Sequence, residues 1–513
     1  MQKLTVTDRA FLLAESREAP MHVGGVNLYT VPEGEDEQEF MSGLREFLSS
    51  EVALRYPFGQ RLKMTSLGVA GPMSWEEDPN LDMHYHVRHS ALPKPGRYRE
   101  LFALVSRLHS TLLDRSRPLW EFHLIEGLQD RQFATYSKIH HCAIDGAGFM
   151  HFLNSMHSNS PDEYKNYSPF SLEAYRKYKS SLVDKMEHGT VRSAPDKKAA
   201  EVLSDSMKST SNILRAVGQT ASAYLGREQK LAVPWHDIPK TSFNKRITGA
   251  RRFVAQTWEF QRVYAVGKKL GGTLNDTVLA MCAGALRKYL QEHHELPAQS
   301  LKAMAPISLR GKGDLDSANA VATLCADLAT NVADPATRYQ RIRESMIAGK
   351  GLMQKMSPGE IGSYMTITQL PGLSLMLLGI EDKFPAFNVT ISNVPGSREQ
   401  LYWNGAKMVG SYPISAIAHG TALNITLVSN GDNLDVGIVA CRETVPSVQR
   451  LIDYMEDALV ELEQLAGIVP RTSPNRVARV KPASKRPRTK TAATGKTKRK
   501  ATAKSSGAKK VAT

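Results

Sequence analysis

The stretch of this 513-residue chain most suggestive of chemistry is KIHHCAIDGAGF, residues 138–149. Two adjacent histidines, His140 and His141, are followed by Asp145, four residues after the second histidine, and then by Gly146. Imidazole titrates near neutral pH, so a histidine can serve as a general base under physiological conditions. The spacing leaves three interpretations open: a catalytic site, a metal site, or a turn in which the histidines are packed and the aspartate caps a helix.

A metal site and an activated nucleophile are the weaker alternatives. Adjacent residues of a strand point to opposite faces, so His140 and His141 cannot easily bind one ion, and we expect no metal site. Cys142 follows His141 directly, but such neighbours do not face each other as a Cys–His pair requires. With no nucleophilic partner in view, a histidine base would activate the substrate's own hydroxyl or amine. This hypothesis points to direct transfer of an acyl group in one step.

The motif should lie where a strand ends and a helix begins. Residues 131–139 (RQFATYSKI) are typical of a strand, although their alternation is imperfect. Apolar residues at helical spacing follow the motif, and they are Phe149, Phe152, Leu153 and Met156. Asp145 is placed to cap that helix, and Gly146 and Gly148 permit a close turn.

The chain divides into four regions: residues 1–160, a mixed α/β domain; 161–243, a polar helical connector on the surface; 244–470, a second α/β domain; and 471–513, a tail. In the first domain the apolar spacing predicts helices over 36–50 and 100–120, the latter ending near Pro118. The second domain should contain a helix over 273–293, strands over 388–396 and 423–440, the latter a hairpin, and a closing helix over 447–466.

Composition excludes several classes of protein. The chain is 42% hydrophobic and 23% charged, as in ordinary globular domains. No apolar run reaches the 18 or so residues of a membrane-spanning helix, and the first twenty residues lack the apolar core of a signal peptide. The four cysteines form no CxxC pair, which is typical of a protein in a reducing cytoplasm.

The positive charge is concentrated in the tail. The formal net charge is +15, and the 15 Lys and Arg residues of 471–513 are accompanied by no Asp or Glu. The remaining chain therefore balances at zero. The tail has almost no large apolar side chains, so we expect it to be disordered and able to bind polyanions such as anionic lipid or nucleic acid.

The motif HHCAIDG resembles the HHxxxDG signature of the CoA-dependent acyltransferase superfamily, and the chain resembles a bacterial wax ester synthase/diacylglycerol acyltransferase. HHxxxDG alone is shared with condensation domains of peptide synthesis, but further landmarks of the family occur in order. They are residues 4–29, 78–96, 116–128 with Pro118-Leu119-Trp120, 243–253, 275–280 (NDTVLA), 306–310 and 392–396 (SNVPG). The resemblance covers about residues 1–467; the basic tail departs from the family pattern.

The resemblance implies a fold and a set of site residues. The fold would be α/β (α+β), with two chloramphenicol-acetyltransferase-like subdomains flanking a central substrate tunnel. His141 would be the general base, with His140 packed behind it or assisting, and Asp145 orienting the loop. Supporting roles would fall to three further residues, namely Gly146 (room for substrates), Asn275 (oxyanion stabilisation, or a helix cap) and Asp276. Pro118, Leu119 and Trp120 would shape an acyl pocket or belong to the core.

The resemblance also implies substrates and partners. Acyl-CoA would be a substrate, with no cofactor, and the acceptor would be a long-chain alcohol or diacylglycerol. Such apolar products suggest peripheral association with the inner membrane or lipid bodies from the cytoplasm. Two alternatives stay open: a condensation-type enzyme that forms amides, and a non-catalytic scaffold of lipid bodies tethered to DNA by the tail. The apolar stretch 370–379 would line a substrate channel or be core.

Overall fold

The structure of the protein is a computed structural model that describes residues 4, 6–50, 52–65, 68, 71–144, 146–187, 199–228, 230–308, 321–354 and 356–470. Two predictions lie outside the described residues, namely the disorder of the tail and the capping role of Asp145.

The described helices, in chain order, are α1 (Val6–Ala14), α2 (Glu37–Ser49), α3 (Met83–His86), α4 (Tyr98–His109), α5 (Gly146–Met156), α6 (Leu172–Glu187), α7 (Ala199–Tyr224), α8 (Phe260–Lys269), α9 (Leu274–Glu292), α10 (Pro335–Met353), α11 (Pro358–Leu377) and α12 (Arg450–Leu465). The strands are β1 (His22–Thr30), β2 (Gln60–Met64), β3 (Met73–Glu77), β4 (Val87–Ala91), β5 (Trp120–Glu126), β6 (Gln132–His140), β7 (Arg251–Glu259), β8 (Lys302–Ser308), β9 (Val321–Asp327), β10 (Val389–Val394), β11 (Tyr402–Trp403), β12 (Ala406–Ile414), β13 (Leu423–Asn430) and β14 (Asn433–Cys441).

The first sheet has the order β11-β12-β1-β6-β5-β4 and carries the histidine motif at the end of β6. Strand β6 lies between β1 and β5, antiparallel to both. Its residues from Phe133 to His140 are all buried. Burial on both faces explains the imperfect alternation of this strand, because neither face needs to be polar.

The second sheet has the order β7-β14-β13-β10-β8-β9 and is mixed, with β10 parallel to both β13 and β8. The helix α9 and the closing helix α12 pack on each other against this sheet, and their buried residues include Leu286, Leu290, Leu451 and Leu459. The hairpin between β13 and β14 is confirmed, with its turn between Asn430 and Asn433.

The chain crosses between the sheets late in the sequence. After β10 has entered the second sheet, β11 and β12 join the first sheet, where β12 pairs antiparallel with β1. The boundaries drawn at residues 160 and 243 stay predictions. A part of the region 244–470 nevertheless completes the sheet that carries the motif.

A buried carboxylate lies where β12 meets the second sheet. Asp435 accepts hydrogen bonds from the amide of Ser411 at 2.7 Å and from Oγ1 of Thr257 at 2.6 Å. Burial raises the pKa of Asp435 to about 6. Close by, a Cβ on Gly437 would lie 1.9 Å from the carbonyl oxygen of Pro413. Only glycine permits this approach of the two backbones.

Two sequence predictions need correction. The helix predicted over 100–120 ends at His109, because Ser110 closes the last turn with its amide and Asp114 forms the next turn by accepting from the amide of Ser116. The region 161–243 is helical but does not lie only on the surface. Phe170 is fully buried against Trp120, at 4.6 Å between ring centroids.

Candidate active site

The two motif histidines lie at the point where β6 leaves the sheet. The amide of His140 donates to the carbonyl of Leu119 at 3.0 Å, and the amide of His141 donates to the carbonyl of Met21 at 2.9 Å. Main-chain hydrogen bonds to two different segments therefore fix the histidine pair. One of these segments contains the Pro-Leu-Trp landmark, and the other immediately precedes β1.

The side chain of His140 is fully buried, and both of its ring nitrogens contact protein groups. The amide of Cys142 donates to Nδ1 at 3.1 Å. Because an amide can only donate, Nδ1 is the acceptor and the ring proton resides on Nε2. Nε2 lies 3.3 Å from Oε1 of Glu15. Neither nitrogen is therefore directed at a substrate.

Glu15 is the functional residue that sequence reasoning missed. Its side chain is 2% exposed and follows α1 in the chain. Oε1 accepts from the amide of Met21 at 3.1 Å, the same residue whose carbonyl holds His141. Burial alone would raise the pKa of this carboxyl, but His140, the Met21 amide and Arg115 together lower it to about 2. The carboxylate is thus ionised at neutral pH.

Arg115 holds the other oxygen of Glu15. Its Nε and Nη2 donate to Oε2 at 3.1 and 2.9 Å, and Nη2 also donates to the carbonyl of Leu12 at 2.9 Å. This paired contact from one guanidinium fixes the carboxylate in orientation as well as charge. The signal in the sequence was only a Glu and an Arg 100 positions apart, so no local pattern could have linked them.

A buried lysine anchors the segment that carries Arg115. Lys138, on β6, donates from Nζ to the carbonyl of Thr111 at 2.7 Å and to that of Leu108 at 3.1 Å. Burial lowers the pKa of Lys138 to about 8, with Glu121 opposing at 3.7 Å. Through Lys138, strand β6 therefore also holds the end of α4 and the loop after it in place.

His141 is only partly buried, unlike His140. Its ring stacks on Phe11 of α1, with centroids 4.0 Å apart and an angle of 9° between planes. The stack fixes the plane of the imidazole. A partly exposed imidazole with a fixed ring plane, next to a fully buried one, suits the role of a single general base.

Two other histidines near the site are held neutral. His22 opposes His140 across the β1–β6 pair and donates from Nε2 to the carbonyl of His109 at 2.9 Å. Burial holds the pKa of His22 well below its ordinary value and lowers that of His109 to about 3. These two residues therefore add no positive charge behind the motif at neutral pH.

Gly146 begins helix α5 and is exposed. A Cβ placed on it would meet no heavy atom within 4 Å. The space in front of this residue is therefore open, and its use by substrates stays a prediction. Phe149, further along the same helix, packs at 3.1 Å from the position that a Cβ on Gly25 would take, so α5 lies closely on β1.

The Pro-Leu-Trp landmark is buried, with Trp120 only 1% exposed. Trp120 donates from Nε1 to the carbonyl of Phe58 at 2.9 Å, and its ring stacks on His86 at 4.5 Å. Nδ1 of His86 in turn donates to the Trp120 carbonyl at 2.8 Å. Pro118, Leu119 and Trp120 thus form part of the core that supports the histidine pair.

Asn275 and Asp276 have separate partners at the start of α9. Asp276 accepts from the amide and the hydroxyl of Thr273 at 2.7 and 2.8 Å, so Thr273 and Asp276 cap the helix. Asn275 is therefore not the cap. Its Oδ1 accepts from Nδ2 of Asn393 at 2.6 Å, which joins the NDTVLA and SNVPG segments.

Comparison with known proteins gives a consistent assignment. The wax ester synthase/diacylglycerol acyltransferase catalytic domain matches residues 4–278, and the C-terminal domain of the same family matches residues 317–463. A probable diacylglycerol O-acyltransferase of Mycobacterium tuberculosis is 41% identical over 481 residues, covering 91% of this chain and 100% of that protein.

Solved structures are similar over the same extent. The wax ester synthase/diacylglycerol acyltransferase from Marinobacter aquaeolei VT8 is 38% identical with a TM-score of 0.72, covering 91% of this chain and 100% of that one. The first condensation domain of the CDA synthetase, 17% identical with a TM-score of 0.52, covers 91% and 96% and shares the fold. The predicted fold class, α/β (α+β) with two subdomains of this type, is confirmed.

Proposed function

This chain belongs to the wax ester synthase/diacylglycerol acyltransferase family, and we propose on that premise that His141 is its general base. The protein is an O-acyltransferase of neutral-lipid synthesis, with acyl-CoA as the donor and an alcohol or acylglycerol as the acceptor. The finer proposal is that the acceptor is a long-chain fatty alcohol, a diacylglycerol or both.

The different burial of the two motif histidines carries the assignment of the base. His140 uses Nδ1 for the Cys142 amide and turns Nε2 towards Glu15. His141 is partly exposed and has its ring plane fixed by Phe11. These contacts support His141 as the proton acceptor and His140 as a residue that positions it.

The reaction then needs one base and no covalent enzyme intermediate. His141 accepts the proton of the acceptor hydroxyl while the oxygen attacks the thioester carbonyl of acyl-CoA. The tetrahedral oxyanion collapses, the carbon–sulfur bond breaks, and the ester is released. CoA thiolate takes the proton back from the imidazolium, which returns His141 to its neutral form.

The remaining motif residues are proposed to support this step. Asp145 orients the turn between His141 and α5, and Gly146 leaves space for the substrates. Asn275 stabilises the oxyanion, an interaction that is worth about 3 kcal/mol when a side-chain amide donates to it. Its Oδ1 accepts from Asn393, so its Nδ2 points away from that bond.

We also propose that the enzyme works on a membrane or lipid-body surface, because its acceptor and products are apolar. None of the described helices is long and apolar enough to cross a membrane. The 15 positive charges of residues 471–513 would add attraction to anionic lipid or nucleic acid.

The two alternative functions are less favoured. A condensation-type amide synthesis shares the fold, but the condensation domain is only 17% identical, whereas the family of O-acyltransferases matches most of the chain. A purely structural scaffold is disfavoured because the family model that matches residues 4–278 is that of a catalytic domain. Release of CoA from palmitoyl-CoA with hexadecanol separates catalysis from scaffolding.

The assignment of the base is tested by three alanine variants assayed with palmitoyl-CoA and either hexadecanol or a diacylglycerol. His141→Ala should lower kcat by about 10²–10⁴-fold and still fold. His140→Ala should lose less activity and more stability, because its buried contacts disappear. His84→Ala, at an exposed histidine of α3, is the matched control. A larger kcat loss in His140→Ala than in His141→Ala would reverse the assignment.

A further inference from the structure

A groove far along the chain from the histidine motif has no part in the reaction described above. The loop before the second sheet, the end of α11 and the segment after it line an open groove of about 830 Å³. The wall is mainly apolar, formed by Trp235, Ile238, Pro239, Leu375, Phe384 and Pro385. A hollow of about 520 Å³ shares Lys240 and Lys383 with it and carries Lys245 and Arg246. The two cavities thus form one surface that is apolar at one end and basic at the other.

The loop that presents Trp235 is held in a strained conformation. Trp235 and Asp237 have φ angles of 59° and 50°, in the left-handed region that bulky side chains rarely adopt. Nζ of Lys302 donates at 2.6 Å to the carbonyl of the residue between them, and Nδ2 of Asn388 donates at 2.6 Å to the carbonyl of Pro239. Such strain persists only where surrounding contacts enforce it, and it is enriched at binding sites.

Large apolar side chains are exposed at the groove and beside it. Phe384 is 57% exposed, and Leu378, next to Gly379 whose carbonyl accepts from Arg246 of the basic hollow, is 70% exposed. Trp235 is partly exposed, whereas the other four tryptophans are at most 2% exposed. Trp side chains are favoured at the interface between membrane and water, and Trp, Phe and Leu side chains insert into the boundary between headgroups and acyl chains.

The basic end of this surface includes lysines whose charge is not paired with a described acidic residue. Lys245 and Arg246 lie 4.0 Å from Glu295 and 3.4 Å from Asp382, respectively. Lys240 and Lys383 are exposed and have no ion-pair partner among the described residues. A lysine beside an exposed aromatic residue can reach a lipid phosphate while the ring enters the acyl region.

We propose that this groove docks the enzyme on an anionic phospholipid surface, with Trp235, Phe384 and Leu378 entering the acyl boundary and Lys240 and Lys383 contacting phosphates. The inference rests on the proposed action at a lipid surface and specifies the face that meets it. A free phosphate compound in the groove would leave Leu378 exposed, whereas a lipid surface covers it. Docking through this groove differs from electrostatic attraction by the tail, because it buries apolar side chains.

The test uses the full chain with vesicles of phosphatidylglycerol whose acyl chains carry bromine, at 0.5 M salt to weaken electrostatic binding by the tail. Bromine quenches tryptophan only on contact, and Trp235 is the exposed tryptophan. We expect quenching in the parent protein and its loss in Trp235→Phe, which should still sediment with the vesicles. Phosphatidylcholine vesicles should bind less protein, and CoA added alone should leave the emission unchanged.

Two pairs of variants separate the apolar and the charged contributions. Phe384→Ser should weaken vesicle binding by about 10-fold, whereas Tyr164→Ser, an aromatic residue that is 52% exposed and packs beside Gly405, should not. Lys383→Glu should weaken binding at low salt by at least about 5-fold, whereas Lys407→Glu on β12 should change it little.

Several results would overturn the proposal. Vesicle binding without Trp235 quenching would place attachment elsewhere, and an emission change with CoA alone would make the groove a ligand pocket. Equal losses in each variant and its control would also refute it. All four variants should keep full turnover on detergent-dispersed hexadecanol. Absence of turnover in the parent protein would instead refute the proposed function and leave the docking result intact.

Discussion

Replacing Glu15 by glutamine tests whether the carboxylate behind His140 positions the catalytic pair. The change keeps the size of the side chain and removes its charge. A glutamine can turn its oxygen towards Arg115 or towards Met21 and His140, but not towards both sides. Whichever way it turns, its NH₂ group faces another donor, because Arg115 and the Met21 amide both donate to this site.

The lowered pKa of Glu15 gives the size of its contribution to the free energy of unfolding. A fall from 4.5 to about 2 corresponds to about 3 kcal/mol, since one pKa unit is about 1.4 kcal/mol. The pKa is lower in the folded state, so this stabilisation is complete above pH 4.5 and disappears as the pH falls through about 2. Arg115 is 27% exposed and can turn to solvent in the variant, which reduces the loss to about 2 kcal/mol at pH 7.

The expected effect on catalysis follows from Met21. Its amide binds Glu15, while its carbonyl accepts from the amide of His141. Even where the glutamine oxygen still accepts from the Met21 amide, this bond is weaker than the one to a carboxylate, which loosens the peptide that holds the base. A displacement of the base approaching 1 Å lowers a rate by up to about 10²-fold, so we expect kcat to fall by about 10- to 100-fold. KM for acyl-CoA should change little, since Glu15 is buried away from solvent.

The assay compares parent, Glu15→Gln and Glu18→Gln, the last at an exposed glutamate three positions away. Initial rates of CoA release give kcat and KM, and urea unfolding at pH 7 and pH 3 gives stability. The stability difference between parent and Glu15→Gln should shrink at pH 3. Arg115→Gln and the double variant complete a cycle in which the two losses should be less than additive. Parent-like kcat in a folded Glu15→Gln enzyme would refute the positioning role.

Three further predictions concern the core, the turn and the tail. Trp120→Ala should destabilise the protein by about 3–5 kcal/mol in thermal or urea unfolding. Trp120→Phe should keep most of kcat. A full kcat with a large change in KM in Trp120→Phe would instead indicate that Trp120 contacts substrate. Asp145→Ala should lower activity and cost about 1 kcal/mol of stability as a lost cap, and full activity in the folded variant would remove Asp145 from the site. A chain ending at Pro470 should keep its turnover on detergent-dispersed hexadecanol and lose salt-sensitive binding to anionic vesicles or DNA, whereas equal, salt-independent binding by both chains would place attachment in the folded body.

Local patterns in the sequence predicted most of the elements near the site. The helix over 36–50 is confirmed as α2, with Leu44 and Leu48 on its buried side and Asp36 as its cap. The strand before the histidines and the helix after them are confirmed as β6 and α5. These signals depend on residues within one or two turns of each other, so a periodicity can show them.

Local patterns could not predict the contacts between segments that are distant in the sequence. Glu15 and Arg115 are 100 positions apart, and neither stands out by spacing or composition. The return of β12 to the first sheet depends on pairing with β1 over nearly 400 positions. Periodicity describes which face is buried and not which segment buries it.

Several of the landmarks that identified the family make hydrogen bonds to other segments of the protein in this structure. The carbonyl of Leu119, in the Pro-Leu-Trp landmark, holds the amide of His140, and Asn275 of NDTVLA meets Asn393 of SNVPG. Such contacts need particular residues because a buried, unsatisfied polar group costs about 1–3 kcal/mol. Landmark residues can therefore be specific without touching substrate. Trp120 illustrates this, since its indole hydrogen bond and its stacking are both directed into the core.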